Sequence, residues 1–255
     1  MSDLVIVFPL YPGVTHLDFT GPQQVLCRVP GAKIIVASMG GADIEADGLT
    51  FTNLADLAQV ETCDVICVPG GFGTSAAMLD EAFMSHIKRL AGGAKYLTSV
   101  CTGSLILAAT GLLKGKRATC HWAWKDQLTP FGVLVTEGRV VRDGNIITGG
   151  GVTAGLDFAF TMVAELAGDA LAQSLQLGLE YSPAPPFNSG TPETAPPEIL
   201  AAVTAMMSGA MGDRQSAAEE RRIGFSGVEV GVVRTAPAVQ LQQALFEVGF
   251  LGVEC

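Results

Sequence analysis

One cysteine of this chain stands where a strand would turn into a helix. In "KYLTSVCTG" a strand-like run ends at Val100, Cys101 follows, and a helix-like run begins at Gly103. Such a strained junction exposes a nucleophile at the carboxyl edge of a parallel sheet. Amides at the start of the helix would lower the pKa of the thiol and favour the reactive thiolate. The same segment also fits a thiol that packs as a small apolar group, a common fate of free cysteine.

Two glycine-rich stretches are expected beside this junction. "VPGGFGT" contains Gly70, Gly71 and Phe72, and "ITGGGV" contains Gly150 and Gly151. Both follow strand-like runs, and ligands of parallel sheets bind beyond the carboxyl ends of the strands. These glycines are therefore candidates for pocket walls or for amides that stabilise negative charge, and each also fits an ordinary turn.

Three histidines and one aspartate are considered for the proton chemistry. We expect His86 on an exposed helix face, His16 in the loop after the first strand, and His121 at a strand end. His121 could line the pocket or simply pack there, and no histidine has a spacing that marks it as the partner of Cys101. Asp18 lies between two apolar residues, where desolvation favours the neutral carboxyl group of a general acid. The position of Asp18 also fits the N-cap of a helix.

Strand-length apolar runs alternate with longer helical patterns, which predicts a mostly parallel sheet covered on both faces. An Asp-Gly pair predicts a hairpin over 140–151. The proline-rich stretch 182–198 is expected to be irregular, because proline removes backbone donors. The predicted strands are 4–10, 33–39, 64–71, 95–100 and 116–122, and the predicted helices are 18–29, 75–93, 103–113, 152–168 and 169–181.

Composition limits the classes of partner. A net charge of -10 argues against a nucleic-acid surface, which needs clustered Lys and Arg. No uncharged apolar stretch is long enough for a membrane helix, and the start has no basic leader, so we expect a cytoplasmic protein. The six cysteines are then expected to be reduced. Cys63 and Cys67 lack a second ligand pair at zinc spacing, so no metal is expected.

The motifs together resemble the ThiJ/PfpI superfamily of glutamine-amidotransferase-like proteins, and within it the isocyanide (isonitrile) hydratases. The stretches that carry the resemblance are "LDFTGPQQVL", "DVICVPGGFGT", "TSVCTGSLILAATGLLKGKRATCHW" and "VVRDGNIITGGGVTAGLDFAF". The resemblance covers roughly residues 3 to 205. It implies a flavodoxin-like three-layer sandwich over 1–205 with a cysteine nucleophile elbow. Residues 206–255 match nothing in the family and are treated as a C-terminal extension.

The resemblance also implies roles for the site residues. Many superfamily members carry histidine directly after the nucleophile, whereas this chain has Thr102, as the isocyanide hydratases do. It implies that Cys101 attacks the isocyanide carbon, that Asp18 acts as general acid/base, and that Thr102 helps to hold both. The product would be an N-substituted formamide, formed through a thioimidate without a cofactor. Phe72 and Trp122 are available as apolar walls for an uncharged substrate, or as core residues.

Two other functions remain open from the sequence. The elbow also resembles the amino-terminal domain of AraC-type transcription factors, but residues 206–255 are not basic and show no helix-turn-helix pattern. A sensor domain without DNA binding, or another thiol activity such as a glyoxalase-like or redox-sensing cysteine, is the alternative. Related thiol branches usually place glutamate where Asp18 stands. The family resemblance implies a homodimer.

Overall fold

The strand-like runs form one central sheet in the computed structural model, which describes residues 4–207. The strands of the described residues are β1 (Leu4–Pro9), β2 (Ala32–Ser38), β3 (Ile44–Ala46), β4 (Leu49–Phe51), β5 (Ala55–Asp56), β6 (Val65–Val68), β7 (Tyr96–Val100), β8 (Arg117–Ala118), β9 (Leu134–Val135), β10 (Val140–Asp143) and β11 (Ile146–Gly149). The sheet has the order β10-β11-β7-β6-β1-β2-β5 and is parallel except that β10 runs antiparallel to β11. The predicted hairpin at 140–151 is therefore confirmed.

Helices cover the sheet. The helices are α1 (Leu17–Leu26), α2 (Thr74–Leu79), α3 (Glu81–Gly93), α4 (Gly103–Ala109), α5 (Ala154–Ala167) and α6 (Asp169–Gly178), with 3-10 turns at Met39–Gly41, Leu57–Gln59 and Lys125–Phe131. A further helix begins at residue 197 and reaches residue 207. α1 packs against α5 and α5 against α6, while α4 packs against α2 and α3. The result is the predicted three-layer α/β sandwich.

The central strands are mostly apolar because both of their faces are buried, and the buried Thr98 and Ser99 of β7 are hydrogen-bonded. All residues of Val65–Val68 and Tyr96–Val100 are buried, and Ile6–Phe8 are fully inaccessible. Each such large apolar side chain contributes roughly 1.5–3 kcal/mol by leaving water. This rigid sheet fixes the carboxyl ends of β1, β6, β7 and β11, from which the candidate site residues extend.

Two local predictions differ from the structure, and one hairpin was not predicted. The helix expected over 75–93 is two helices, because the Asp80 side chain accepts a hydrogen bond from Phe83 N at 3.0 Å and starts α3 as an N-cap. The strand expected over 116–122 is limited to Arg117–Ala118. The hairpin of β3 and β4 was not predicted, although its turn is an Asp-Gly pair, Asp47 and Gly48, with φ of 51° and 81°.

The segments after α6 are described only in part. Residues 182–196 form neither helix nor strand, in agreement with the irregular stretch predicted from its prolines. The predicted extension over 206–255 lies outside the described residues except for 206 and 207, so its structure stays a prediction. Within residues 4–207, no helix is long and apolar enough to span a bilayer.

Candidate active site

Cys101 occupies a sharp turn between β7 and α4. It has a φ of 57°, a left-handed conformation that is costly for a residue with a side chain and that clusters at functional sites. Its N–H is shared between Gly150 O at 2.7 Å and Gly149 O at 3.1 Å, so the loop after β11 holds the turn. A Cβ at Gly103 would collide with the backbone oxygens of β6, which explains the glycine there. The thiol is buried, at 4% exposure, rather than open at the sheet edge.

Asp18 lies in the first turn of α1 and is wholly buried, at 0% exposure. The N-cap of α1 is His16, so the alternative in which Asp18 caps the helix is wrong. Burial raises the pKa of Asp18 to about 7, the Gly70 amide and the Cys101 side chain lower it, and Asp47 raises it. The thiol and the carboxyl group therefore interact, although Asp18 Oδ1 receives no hydrogen bond of standard geometry.

Thr102, the residue after Cys101, is buried. Its Oγ1 accepts a hydrogen bond from Gly71 N at 2.9 Å and lies 2.7 Å from Thr74 Oγ1. The preceding amide, Gly70 N, donates to Asp18 Oδ2 at 2.9 Å. Two consecutive amides of one turn thus hold the carboxyl group and the threonine hydroxyl, which brings the predicted Asp18 and Thr102 to the same place.

The turn at 70–71 is itself fixed to the segment that leads into α1. Thr15 N donates to Gly70 O at 2.9 Å, and Val14 forms an antiparallel bridge with Gly71. A Cβ at Gly71 would overlap the backbone of this segment, so a side chain there would push the turn away. Because α1 starts immediately afterwards, these contacts set the position of Asp18.

The predicted amide donors are already engaged. Gly71 N binds Thr102, and Gly150 N donates to Arg139 O at 2.8 Å. In this structure Gly71 and Gly150 form part of the walls of the site, and Gly150 O accepts a hydrogen bond from Cys101 N. Their role as donors to a bound substrate stays a prediction.

An aromatic row connects the two glycine-rich stretches. Phe72, 42% exposed, packs edge-on against Trp124 with ring centroids 6.3 Å apart. The ring centroid of Trp124 lies 4.7 Å from that of His121, and the ring centroid of Trp122 lies 5.6 Å from that of His121. His121 Cδ2 is 3.2 Å from the position that a Cβ would take at Gly151. The structure thus places Phe72, His121, Trp122 and Gly151 in one row.

Among the cysteines of residues 4–207, only Cys101 has a positive φ. Burial raises the pKa of Cys63 and of Cys67 to about 12, so neither forms a thiolate near neutrality. Cys27 is exposed near the end of α1. Among residues 4–207, no group of His, Cys, Asp or Glu is arranged to hold a metal ion.

Thr74 and Tyr11 are buried polar residues that the sequence analysis missed. Thr74 Oγ1 donates to Gly71 O at 2.8 Å and lies 3.1 Å from Tyr11 OH. The only available signal was a hydroxyl residue directly after the "GGFG" turn. It was weak because threonine is common at the start of helices.

The fold and the site define an α/β sandwich protein with a cysteine elbow beside a buried carboxyl group. The chain belongs to the DJ-1/PfpI family, whose profile matches residues 5–165. It is 48% identical to the isonitrile hydratase of Pseudomonas putida over 198 residues, 77% of this chain and 87% of that protein. It is 32% identical to the protein dj-1beta of Drosophila melanogaster over 185 residues, 70% of this chain and 97% of that protein.

A solved structure agrees with this assignment. The crystal structure of a ThiJ/PfpI family protein from Pseudomonas syringae matches with a TM-score of 0.83 and 42% identity, over 86% of this chain and 91% of that one. The resemblance to the ThiJ/PfpI superfamily, and the fold that it implied, are therefore confirmed.

Proposed function

We propose that this protein is an isocyanide hydratase, which adds water to R–N≡C and releases R–NH–CHO. The observation that carries the proposal is the buried Asp18 carboxyl group, whose pKa of about 7 leaves it partly protonated at neutral pH beside the Cys101 thiol. A carboxyl group with a pKa near the working pH can both give and take a proton. The 48% identity to the isonitrile hydratase of Pseudomonas putida supports the same activity.

The first half-reaction forms a carbon–sulfur bond. The terminal isocyanide carbon is electrophilic towards a soft thiolate and becomes carbanionic when the sulfur adds. Cys101 attacks this carbon while protonated Asp18 gives it a proton. The product is the thioimidate R–N=CH–S–Cys101, with Asp18 left as a carboxylate.

The second half-reaction adds water to the same carbon. The Asp18 carboxylate takes a proton from water as the hydroxyl group adds, and passes that proton to nitrogen, which gives R–NH–CH(OH)–S–Cys101. The carboxylate then takes the hydroxyl proton while the carbon–sulfur bond breaks. R–NH–CHO leaves, and the thiolate and the protonated Asp18 are restored. Water is the only co-reactant, so the cycle needs no cofactor.

The surroundings of the site suit an uncharged, apolar substrate. Phe72, His121 and Trp122 lie on the aromatic row between the glycine-rich stretches, and Gly151 touches His121. An isocyanide has no charge that would need a Lys or Arg clamp. The row therefore offers apolar contact area for the substituent R.

The enzyme is proposed to act as a homodimer in the cytoplasm. A groove of about 520 Å³ beside α1 has a mixed lining, with Phe19, Ile34, Val36 and Phe51 next to the polar Thr20, Gln23, Thr52 and Asn53, and a second copy is proposed to cover it. A reducing compartment keeps the nucleophile available, and the cysteines of the described residues are free thiols.

The test is turnover of an aryl and an alkyl isocyanide, with formamide formation followed by NMR. We expect turnover by the wild-type protein and a loss of at least about 1000-fold in Cys101→Ala and Asp18→Asn. Cys67→Ala, on the neighbouring strand β6, is the matched control and keeps its activity. Mass spectrometry of the wild-type protein, quenched during turnover, checks for the adduct on Cys101, and Asp18→Asn should show none because it lacks the proton donor of the attack step. Failure of the wild-type protein to hydrate any isocyanide overturns the proposal, and full activity of Cys101→Ala overturns the nucleophile.

A further inference from the structure

A chain of hydrogen bonds leads from the backbone of Cys101 to a surface arginine. Cys101 N donates to Gly150 O at 2.7 Å, and Gly150 N donates to Arg139 O at 2.8 Å. Arg139 directly precedes β10 and Gly150 directly follows β11, so this second bond extends the hairpin by one pair. A strained backbone such as that of Cys101, with its φ of 57°, persists only where its surroundings hold it. The loop that holds Cys101 is therefore itself held by Arg139.

The side chain of Arg139 binds the far end of the same loop. Its Nε donates to Asp157 Oδ2 in an ion pair, and its Nη2 donates to Thr153 Oγ1 at 3.5 Å. Thr153 directly precedes α5, and Asp157 lies in the first turn of that helix. Arg139 thus binds Gly150 through its carbonyl group and the start of α5 through its guanidinium group. These contacts fix both ends of the segment between the elbow and α5.

Asp157 is held from a second direction by Tyr181. Tyr181 OH donates to Asp157 Oδ1 at 2.7 Å, and the Tyr181 ring stacks on Phe160 of α5 with centroids 5.2 Å apart. Burial and the Asp157 carboxylate raise the pKa of Tyr181, so its hydroxyl keeps the proton that it donates at neutral pH. Both oxygens of the carboxylate are therefore bound, and the guanidinium group of Arg139 meets a partner whose orientation is fixed.

A second set of the same residue types lies at the other end of α5. Arg142 Nη1 pairs with Glu165 Oε2 at 2.6 Å, and Tyr96 OH donates to Glu165 Oε1 at 2.9 Å. The side chains of Arg142 and Glu165 are 51% and 23% exposed, close to the 59% and 29% of Arg139 and Asp157. The backbone of Arg142, however, pairs with Ile147 in the middle of the hairpin. This second set joins the same strand and helix and serves as an internal comparison.

We propose that Arg139 is a positioning residue for the nucleophile, which it orients through the Gly150 carbonyl group. The proposal rests on the hydratase function argued above and assigns Arg139 a part in it. Without the guanidinium contacts, the segment that contains Gly150 is held at one end fewer. The Gly150 carbonyl group then moves away from Cys101 N, and the thiol adopts its attacking orientation less often.

The expected effect is on catalysis more than on stability. An ion pair between two partly exposed side chains adds little to the stability of a fold, because water screens it. The position of a reacting atom is more sensitive, since a displacement well below the size of an atom already slows a reaction. The Arg139 contacts therefore predict a change in kcat that is larger than any change in melting temperature would suggest.

The kinetic test breaks the ion pair from each side, with Arg139→Gln and with Asp157→Asn. We expect kcat for an isocyanide to fall about 10-fold in both, with KM within about twofold of the wild type, because orientation matters most in the reaction step. Arg139→Lys keeps a positive charge beside Asp157 and should recover most of the kcat. Glu165→Gln, which breaks the ion pair with Arg142 at the other end of α5, is the matched control and should keep the wild-type kcat.

A second readout does not depend on turnover. In protein labelled with 15N at its six cysteines, the amide signal of Cys101 is assigned by its loss in Cys101→Ala. A longer hydrogen bond to Gly150 O moves this signal to higher field, and we expect that shift in Arg139→Gln and in Asp157→Asn but not in Glu165→Gln.

The two readouts separate the possible failures. A Cys101 signal and a kcat that stay at their wild-type values in Arg139→Gln and Asp157→Asn overturn the proposal, even if both variants melt at a lower temperature. Equal changes in Glu165→Gln overturn it as well, because they would belong to α5 as a whole. If the wild-type protein hydrates no isocyanide but the Cys101 signal moves as expected, the proposed function fails and the positioning role of Arg139 stands.

Discussion

Gly70 N donates to Asp18 Oδ2 at 2.9 Å, and this one hydrogen bond joins the end of β6 to the first turn of α1. The position of the candidate acid thus depends on a backbone turn as well as on its own helix. The next amide, Gly71 N, holds Thr102. Because Cys101 directly precedes Thr102, one turn orients the nucleophile's neighbour and the acid together.

Replacement of Gly70 by alanine tests this arrangement. A Cβ there would lie 2.5 Å from Thr102 N and 2.9 Å from Asp18 Oδ2, closer than packed atoms allow. We expect Gly70→Ala to lose about 1–3 kcal/mol of unfolding free energy by overpacking. Displacement of the reacting groups is expected to lower kcat/KM about 100-fold. Urea unfolding and isocyanide turnover measure the two effects.

The matched control is Gly92→Ala in α3, where a Cβ would meet nothing within 4 Å. Alanine is the better helix former, so this variant should keep full activity and gain up to about 1 kcal/mol. Wild-type activity in Gly70→Ala would show that the turn does not position the acid.

The pH dependence of activity follows from Asp18. Its pKa is raised from the usual 3.8 to about 7, chiefly by burial, and the attack step needs its protonated form. We therefore expect kcat/KM to fall as the pH rises through about 7. If the residual kcat/KM of Asp18→Asn still falls with pH in that region, a group other than Asp18 causes the fall.

The same shift predicts how stability changes with pH. Folded Asp18 keeps its proton to a higher pH than unfolded Asp18, so raising the pH from about 4 to 7 weakens the wild-type fold relative to Asp18→Asn. The difference in unfolding free energy should be near zero below pH 4 and reach roughly 4 kcal/mol above pH 7. Urea unfolding at several pH values measures it. Asp169→Asn, an exposed change at the start of α6, should stay within about 0.5 kcal/mol throughout.

Much of the scaffold was predictable because strands buried on both faces are mostly apolar. Val65–Val68 are apolar throughout and Tyr96–Val100 are apolar except for Thr98 and Ser99, and the sheet forms where this pattern predicts. Cys101 was identified by its place between such a strand and a helix. The break at Asp80 was missed, because the apolar pattern of the predicted helix continues across it and only the Asp80 cap separates α2 from α3.

The contacts between distant segments could not be read from the sequence. The N-cap prediction and the catalytic prediction for Asp18 fit the same local residues. The start of α1 after His16 rules out the cap, and the contact with Gly70, 52 residues away, holds the carboxyl group in the site. Thr74 shows the same limit, since its hydroxyl contacts Tyr11, 63 positions away, and Thr102, 28 positions away. Local patterns predict elements, while the hydrogen bonds of a site depend on how those elements pack.

The backbone at Cys101 makes a prediction about stability. At a φ of 57° glycine is unstrained and alanine is not, so Cys101→Gly should be about 1 kcal/mol more stable than Cys101→Ala. The order should reverse at Cys67, in the regular strand β6, where glycine weakens the strand. Thermal unfolding of the four variants checks both orders. Equal stability of the two Cys101 variants would show that the elbow is not strained.

The aromatic row predicts substrate preference. Phe72 is 42% exposed and packs edge-on against Trp124, so a bound aryl group would cover part of its ring. Loss of that apolar contact costs about 1 kcal/mol, so Phe72→Ala should raise KM for an aryl isocyanide about fivefold. KM for methyl isocyanide should hardly change, because the small group cannot reach the ring. Leu177→Ala, on the exposed face of α6, is the control, and equal KM changes for both substrates would remove Phe72 from the pocket.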